Sequence, residues 1–173
     1  MQPGDLYFWT ATIQHWKPIL ETDKRKEIII KSLQWIKENE LAHIYAYVIM
    51  PNHVHLIWQT MQKDRKESVQ GTLLKHTAHM LKKDIVEYEP ELLSNFKVLA
   101  ANKQYQIWQR DPLAIQLFTR AVAYQKLLYI HKNPLAKKWN LAPDYVSYKF
   151  SSAAFYEYGI DHWGLVSHIG EVI

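Results

Sequence analysis

Two histidines separated by one residue, His53 and His55, have the clearest potential for metal chemistry. They alternate with Val54 and Leu56 in a stretch rich in β-forming residues, which predicts a strand. Alternate residues of a strand share one face and lie roughly 6.5 to 7 Å apart along it, so both imidazoles would converge on one point. A divalent cation held by neutral imidazoles keeps its double charge and can polarise a phosphodiester oxygen. The same spacing fits two surface histidines on a half-exposed strand, so both interpretations stay open.

The composition excludes several other chemistries. The chain has 173 residues, no cysteine, and 21 Lys and Arg against 17 Asp and Glu. Without cysteine there is no disulfide, no Cys-ligated metal centre and no thiol nucleophile. The net charge of +4 and the 13% aromatic content permit a polyanionic partner with unpaired bases. Because no apolar run approaches the roughly 20 residues of a spanning helix, and no export signal is recognisable, we expect a cytoplasmic protein outside the membrane.

The histidines must be positioned by the elements around them. Alternation predicts a strand over residues 6–14, and helical spacing of apolar residues predicts a helix from a cap at Thr22 or Asp23 to about Glu38. Strands follow over residues 43–50 and 53–59. The Pro51-Asn52 break between them fits either a hairpin or a bent continuation.

The second half of the chain continues this alternation of elements. We expect a helix from Asp64 to about Tyr88, and a loop with at most one helical turn over residues 89–104. Short strands are predicted over residues 105–109 and 114–118. A helix capped by Thr119 should end near Asn133, because Pro134 disfavours helical geometry in the residue before it. A last short helix starts at Ser151 or Ser152 and runs to Tyr158.

This order of elements is typical of an α+β sandwich. We predict an antiparallel sheet with helices packed on one face, of the ferredoxin-like or split βαβ type. No repeat or linker composition divides the chain, so residues 1–173 are expected to form a single domain.

The sequence around the histidines resembles a known family. Met50-Pro51-Asn52-His53-Val54-His55 is similar to the motif of the single-tyrosine HUH transposases, particularly the REP-associated branch, in which His, a bulky apolar residue and His follow Met-Pro-Asn. Further blocks resemble the family in the same order and extend over nearly the whole chain. These blocks are Tyr7-Phe8-Trp9-Thr10, Leu74-Lys75-His76-Thr77-Ala78, Ile107-Trp108-Gln109, residues 125–135, and Pro143-Asp144-Tyr145 with Ser151-Ser152-Ala153.

The resemblance implies a nucleophilic tyrosine and a third metal ligand. In the family, a helix carries the tyrosine and an amide residue four positions later, which correspond here to Tyr129 and Asn133. Residues four apart share a helix face, so both could approach an ion, Mg²⁺ or Mn²⁺, held by His53 and His55. Tyr124 is the competing nucleophile, but the residue four positions after it is Leu128, which cannot be a ligand.

The same resemblance implies the reaction and the partner. Attack by Tyr129 on single-stranded DNA with hairpin or palindromic ends would give a 5′-phosphotyrosine and a free 3′-hydroxyl, without nucleotide hydrolysis. Lys126, three residues before Tyr129, could supply positive charge near the phenol. Relatives act as monomers or as homodimers, and both states stay open here.

Other residues are candidates for contacts with DNA. The region 134–173 is a candidate DNA-contacting extension of the domain. Trp139, Tyr145 and Tyr148 are candidate stacking platforms. The candidate phosphate contacts are Lys75, Arg110, Lys126, His131, Lys132, Lys137 and Lys138.

Two other functions stay open at this point. Sheets with exposed aromatic residues also bind single strands without catalysis, so a non-catalytic nucleic-acid-binding module is the main alternative. A zinc-dependent hydrolase that uses the histidine pair is a third. Of the three hypotheses, only the transposase predicts a covalent protein–DNA adduct that depends on Tyr129.

Overall fold

The computed structural model describes residues 1–61, 66–100 and 103–173. Its six strands are β1 (Leu6–Thr12), β2 (Ala42–Met50), β3 (His53–Thr60), β4 (Lys97–Ala100), β5 (Lys103–Tyr105) and β6 (Leu113–Gln116). Four of them form one sheet in the order β2-β3-β1-β6, and every neighbouring pair is antiparallel. The remaining two, β4 and β5, form a small antiparallel hairpin.

Four α-helices connect and cover these strands. They are α1 (Asp23–Glu38), α2 (Val69–Tyr88), α3 (Arg120–Lys132) and α4 (Ala153–Tyr158). The side chains of Thr22, Ser68 and Thr119 accept backbone hydrogen bonds at the N-termini of α1, α2 and α3, respectively, which satisfies amide groups that the helix itself leaves unpaired. In the described ranges, no helix combines the length and the apolar composition needed to cross a bilayer.

The two faces of the sheet have different coverings. On one face, which we call the histidine face, Thr10 lies opposite His55 and Thr12 opposite His53. The other face, which we call the core face, carries alternate residues such as Trp9 and Trp58, whose rings lie 5.2 Å apart.

Helices α1 and α2 lie against the core face. The indole of Trp108, which pairs with Ile13 just beyond β1, donates a hydrogen bond of 3.0 Å to Thr77 of α2, and α1 packs along α2. Helix α3 lies on the histidine face, where Tyr129 contacts Phe8 and His55.

The C-terminal part of the chain runs beside β2. The Ile49 amide donates to the Phe150 carbonyl at 2.9 Å, and the Ser152 amide donates to the Tyr47 carbonyl at 3.0 Å. Further along, the Ser167 amide donates to Ile44 at 2.9 Å. These bonds fix the residues after α3 to the sheet.

This architecture confirms the predicted α+β fold with an antiparallel sheet and helices packed against it. Helices α1 and α2 share one face as predicted, whereas α3 lies on the histidine face. The predicted β1, α1, β2, β3, α3 and α4 are found within about two residues of their expected bounds. Met50 lies opposite His53, so the Pro51-Asn52 break is a hairpin and not a bent continuation.

Three local predictions were wrong. Helix α2 begins at Val69, after the Ser68 cap, whereas the expected start at Asp64 lies outside the described residues. Residues 89–104 form a 3₁₀ segment (Pro90–Phe96) and most of the β4–β5 hairpin, although 101 and 102 lie outside the described residues. The expected strand over 105–109 contributes Tyr105 to β5 and one isolated bridge at Trp108.

Candidate active site

His53 is held by its neighbour Asn52 at the start of β3. The Asn52 amide group donates to the Trp16 carbonyl at 3.0 Å, which directs its oxygen to His53 Nδ1 at 2.6 Å. Because an amide oxygen can only accept, Nδ1 carries the proton and the lone pair of His53 is on Nε2. A second polar group that fixes a histidine tautomer in this way is common around metal-binding imidazoles.

His55 is held in a similar way from the neighbouring strand. Its Nδ1 lies 2.7 Å from the Thr10 hydroxyl, and its ring stacks on Phe8 with 5.2 Å between the centroids. The side chain is buried, and its Nε2 has no hydrogen-bond partner among the described residues. Burying a polar atom without a hydrogen-bond partner reduces the stability of a fold. The unpaired nitrogen therefore indicates a position where a ligand can bind.

Both imidazoles are electrically neutral at physiological pH. Burial lowers the pKa of His53 to about 4, the charge of Lys138 acts in the same direction, and a hydrogen bond with the Asn133 side chain opposes them. Burial also lowers the pKa of His55 to about 3, with smaller contributions from His53 and Lys126. The two ring centroids lie 4.6 Å apart, so two neutral nitrogen donors stand close together.

Helix α3 brings Tyr129 to the same place. The Tyr129 ring lies 5.3 Å from the His55 ring and 5.9 Å from Phe8 between centroids, and half of the residue's surface is exposed. The Lys126 ammonium lies 4.8 Å from the Phe8 centroid and 5.7 Å from the Tyr129 centroid. A phenol and a positive charge therefore lie beside the histidine pair.

His53, His55 and Tyr129 line one open cavity of about 560 Å³. Asn133 lines it and keeps a helical backbone (φ −55°, ψ −42°) although Pro134 follows, so it stays one turn beyond Tyr129. The cavity-lining residues are Thr10, Thr12, Trp16, His53, His55, Gln125, Leu128, Tyr129, Lys132, Asn133, Ala136, Lys138 and Trp139.

The predicted cationic contacts divide into two groups. Lys132 and Lys138 line the cavity, Lys126 lies beside it, and Lys137 is exposed next to Lys138. Arg110 is exposed and follows Gln109, whose amide donates to Thr12 at 2.8 Å. Of the five cations, Lys132 and Lys138 therefore line the cavity and Lys126 lies beside the cavity residue Tyr129.

Two other predicted contacts lie elsewhere. Lys75 is on α2, which covers the core face, and its ammonium lies 3.7 Å from a Glu67 carboxylate oxygen. His131 is buried, and its Nε2 lies 2.9 Å from the Ser152 hydroxyl. It follows the buried Leu127 by four residues, so both lie on the buried side of α3. A phosphate contact by His131 is therefore incompatible with the structure.

The predicted aromatic platforms also differ in position. Trp139 lines the cavity, with its ring 6.2 Å from that of His53. Tyr148 is buried and its hydroxyl donates to the Ile49 carbonyl at 2.7 Å, which rules it out as an accessible platform. Tyr145 donates to Glu157 at 2.9 Å. The competing nucleophile Tyr124 is absent from the cavity lining.

Several residues of the cavity were missed by reasoning from the sequence. Gln125 precedes Tyr129 by four residues, and this spacing alone could have placed it on the same helix face. Thr10 could have been found from the alternation in β1, once the pairing with β3 was known. No sequence signal marks Trp16, because its position depends on an irregular backbone.

The donor set fits a divalent cation. Two neutral imidazoles offer nitrogen, and the amides of Asn133 and Gln125 offer oxygen on the same cavity. Across the described ranges, no group of three or more His, Asp or Glu side chains is arranged to hold a metal ion, so the site would be completed by amide oxygen or water. Imidazole nitrogen suits Zn²⁺, Fe²⁺ and Ni²⁺, whereas amide oxygen and water suit Mg²⁺ and Mn²⁺, so the mixed donor set accommodates either kind of ion.

Several solved structures are similar to this chain. A REP-associated tyrosine transposase bound to a REP hairpin is 18% identical, with a TM-score of 0.62, and the likeness covers 87% of this chain and 78% of that one. A protein assigned as a transposase from Deinococcus radiodurans R1 is 13% identical with a TM-score of 0.49, over 73% of this chain and 88% of that one. No protein-family model and no curated protein matches the sequence. The first likeness shows that the fold is one that a tyrosine transposase uses.

Proposed function

We propose that this protein is a metal-dependent DNA strand transferase of the single-tyrosine HUH type. In this proposal Tyr129 cleaves single-stranded DNA at hairpin-bearing ends, stays linked to the 5′ phosphate, and later returns the strand to a 3′-hydroxyl. The histidines and Asn133 hold the cation, and the lysines at the cavity rim hold the DNA backbone.

One observation carries the proposal: the Tyr129 ring lies 5.3 Å from the ring of a buried histidine whose Nε2 has no partner in the described structure. A buried polar atom without a partner is costly, and an exposed phenol beside it is accessible to a substrate. Here both side chains offer reactive atoms to one cavity, which is the arrangement needed for a nucleophile beside an electrophilic centre.

The cavity's residues have distinct roles in the reaction. The Tyr129 oxygen forms a bond to phosphorus as the bond to the 3′ oxygen breaks, so no high-energy cofactor is needed. The phenol proton passes to solvent, the departing 3′ oxygen takes up a proton, and the Lys126 charge stabilises the phenolate that forms. A cation held by His53 and His55, when bound, supplies Lewis-acid polarisation of the phosphate oxygen.

Single-stranded DNA suits this cavity for geometric reasons. A phosphate in a stiff duplex is difficult to seat between a strand and a helix, whereas an unpaired strand bends into place. Lys132 and Lys138 lie on the cavity wall, where they can pair with the flanking phosphates. The transposase that shares the fold is bound to a hairpin, which supports hairpin-bearing ends as the substrate of this chain.

The proposal is tested by covalent trapping. Purified protein is incubated with Mn²⁺ and single-stranded oligonucleotides carrying hairpins, and adducts are separated in denaturing gels. We expect a denaturant-resistant adduct that carries a 3′-end label and lacks a 5′-end label. It should disappear in Tyr129→Phe, in His53→Ala and after chelation of the metal.

Tyr124→Phe is the matched control, because Tyr124 is on the same helix but outside the cavity lining. This variant should form the adduct at the wild-type level. Adduct formation that survives Tyr129→Phe would exclude the proposed nucleophile. Tight DNA binding by all variants without any adduct would instead identify a non-catalytic binding module.

A further inference from the structure

Trp16 has an unusual combination of exposure and backbone conformation. Its side chain belongs to the cavity wall, yet 56% of the residue's surface is exposed. Both Trp16 and the preceding His15 have a positive φ, 57° and 55°. Histidine is among the residues enriched in this left-handed conformation, whereas a bulky residue such as tryptophan rarely adopts it, and strain of this kind is concentrated at functional sites.

The surrounding structure holds Trp16 in this conformation. Its carbonyl accepts the hydrogen bond from Asn52, the residue that also orients His53. Its amide donates to the Ile13 carbonyl at 2.9 Å. The Asn52 side chain therefore connects the strained turn to His53, the proposed metal ligand. The position of the Trp16 indole is thus coupled to that of the His53 imidazole.

A second indole, that of Trp139, also lies near the His53 imidazole. The rings of Trp16 and Trp139 lie 6.5 Å and 6.2 Å from the His53 ring between centroids. The Lys138 ammonium lies 4.9 Å from the centroid of Trp139. Two flat apolar surfaces and a cation thus adjoin one proposed ligand of the metal.

We propose that Trp16 is a stacking platform for an unpaired nucleobase next to the scissile phosphate, with Trp139 as a second wall of that subsite. An indole is a surface on which any base can stack, while a nearby ammonium pairs with the backbone phosphate. The strained turn keeps the indole exposed in the absence of DNA. This inference rests on the proposed function, because the scissile phosphate is placed by the metal and Tyr129.

The subsite is tested by comparing DNA with and without bases. The probes are a short thymidine oligonucleotide and an abasic strand of the same length. Wild-type protein should bind the thymidine strand more tightly, and Trp16→Ala should reduce that preference by about fivefold or more. Affinity for the abasic strand should stay unchanged, which a general loss of structure would not allow.

Two variants sharpen this measurement. Trp16→Phe keeps an aromatic surface and should retain most of the preference. Trp35→Ala removes a tryptophan of α1 that is 47% exposed and lies outside the cavity lining, so it should behave as wild type. In a parallel experiment, a 5-iodouracil-containing strand should cross-link under ultraviolet light to the peptide that contains Trp16.

The outcomes separate this inference from the proposed function. If Trp16→Ala keeps the full preference for bases while wild-type protein forms the Tyr129 adduct, the stacking subsite is wrong and the strand transferase stands. If the preference falls in Trp16→Ala but no variant forms an adduct, the nucleobase platform stands and catalysis is wrong. Cross-linking confined to peptides without Trp16 would also overturn the subsite.

Discussion

Buried charged groups are paired with one another behind the core face, whereas a buried polar atom on the histidine face is left unpaired by the residues that the structure describes. Behind the core face, between α1 and α2, the buried Arg25 donates to Asp84 at 2.6 Å and to Glu89 at 2.7 Å, and Lys24 approaches the second Asp84 oxygen at 2.7 Å. Burial raises the pKa of the Asp84 carboxyl, but its bonds with Lys24 and Arg25 outweigh this effect, so the pKa lies below its ordinary value. The charged side chains of this region therefore neutralise one another in ion pairs.

On the histidine face, hydrogen bonds orient the two imidazoles without pairing all of their nitrogens. Asn52 and Thr10 each occupy one nitrogen of a histidine, while His55 Nε2 is left without a partner in the described chain. On the core face the buried Trp58 Nε1 also has no partner, but Trp58 does not line the cavity. An unpaired buried atom therefore indicates a site only where it adjoins an open cavity and a second reactive group.

The largest effect should follow from breaking the paired charges behind the core face. Arg25→Met leaves Asp84 and Glu89 without their buried partner, so the free energy of unfolding should fall by about 3–5 kcal/mol. Urea denaturation measures this change. Lys24→Ala acts on the same carboxylate from an exposed position, where solvent screens the ion pair, and should cost much less. Equal losses in the two variants would contradict the distinction between them.

An intermediate effect should follow from removing the unpaired imidazole. Wild-type protein should gain about 2.7 kcal/mol of unfolding free energy when Mn²⁺ is present at one hundred times its dissociation constant. His55→Leu should lose this gain, since one nitrogen donor is missing. Urea denaturation with and without Mn²⁺ gives both values. His76→Ala, at an exposed position of α2, should keep the gain, and a gain that persists in His55→Leu would remove His55 from the metal site.

The smallest effect concerns single lysines on the two sides of the sheet. Lys132 lines the cavity, whereas Lys75 lies on α2 near Glu67. Lys132→Ala should weaken binding of single-stranded DNA and reduce the slope of log affinity against log salt by about 1, as measured by fluorescence anisotropy. Lys75→Ala should leave the slope unchanged. A larger change for Lys75 would place DNA across the helices of the core face.

Much of the fold could be predicted from local patterns. Strand alternation around His53 and the Thr22 and Thr119 caps are properties of a few neighbouring residues, and the corresponding elements were found close to their expected bounds. The β4–β5 hairpin was missed because its strands are short and of mixed polarity, so it carries no clear periodic signal. The extended backbone around Trp108 depends on contacts with β1 and α2, which sequence patterns do not contain.

The candidate site was predictable only in part. The shared face of His53 and His55 follows from strand geometry, and the adjacency of Tyr129 and Asn133 follows from helix geometry. Trp16 was missed because its placement requires two consecutive residues at positive φ, and no local pattern of residues predicts this. The buried position of His131 could have been predicted from its spacing, because it follows the apolar Leu127 by four residues and residues four apart share a helix face.

The C-terminal residues that bond to β2 also restrict how copies of this protein can assemble. Exposed strand edges are templates for pairing between chains, and the outer groups of β2 are already used by Phe150, Ser152 and Ser167. At the opposite end of the sheet, β6 has four residues and exposes Leu113 and Ile115. A dimer built by continuing this sheet from one subunit into the next would therefore have to join through β6.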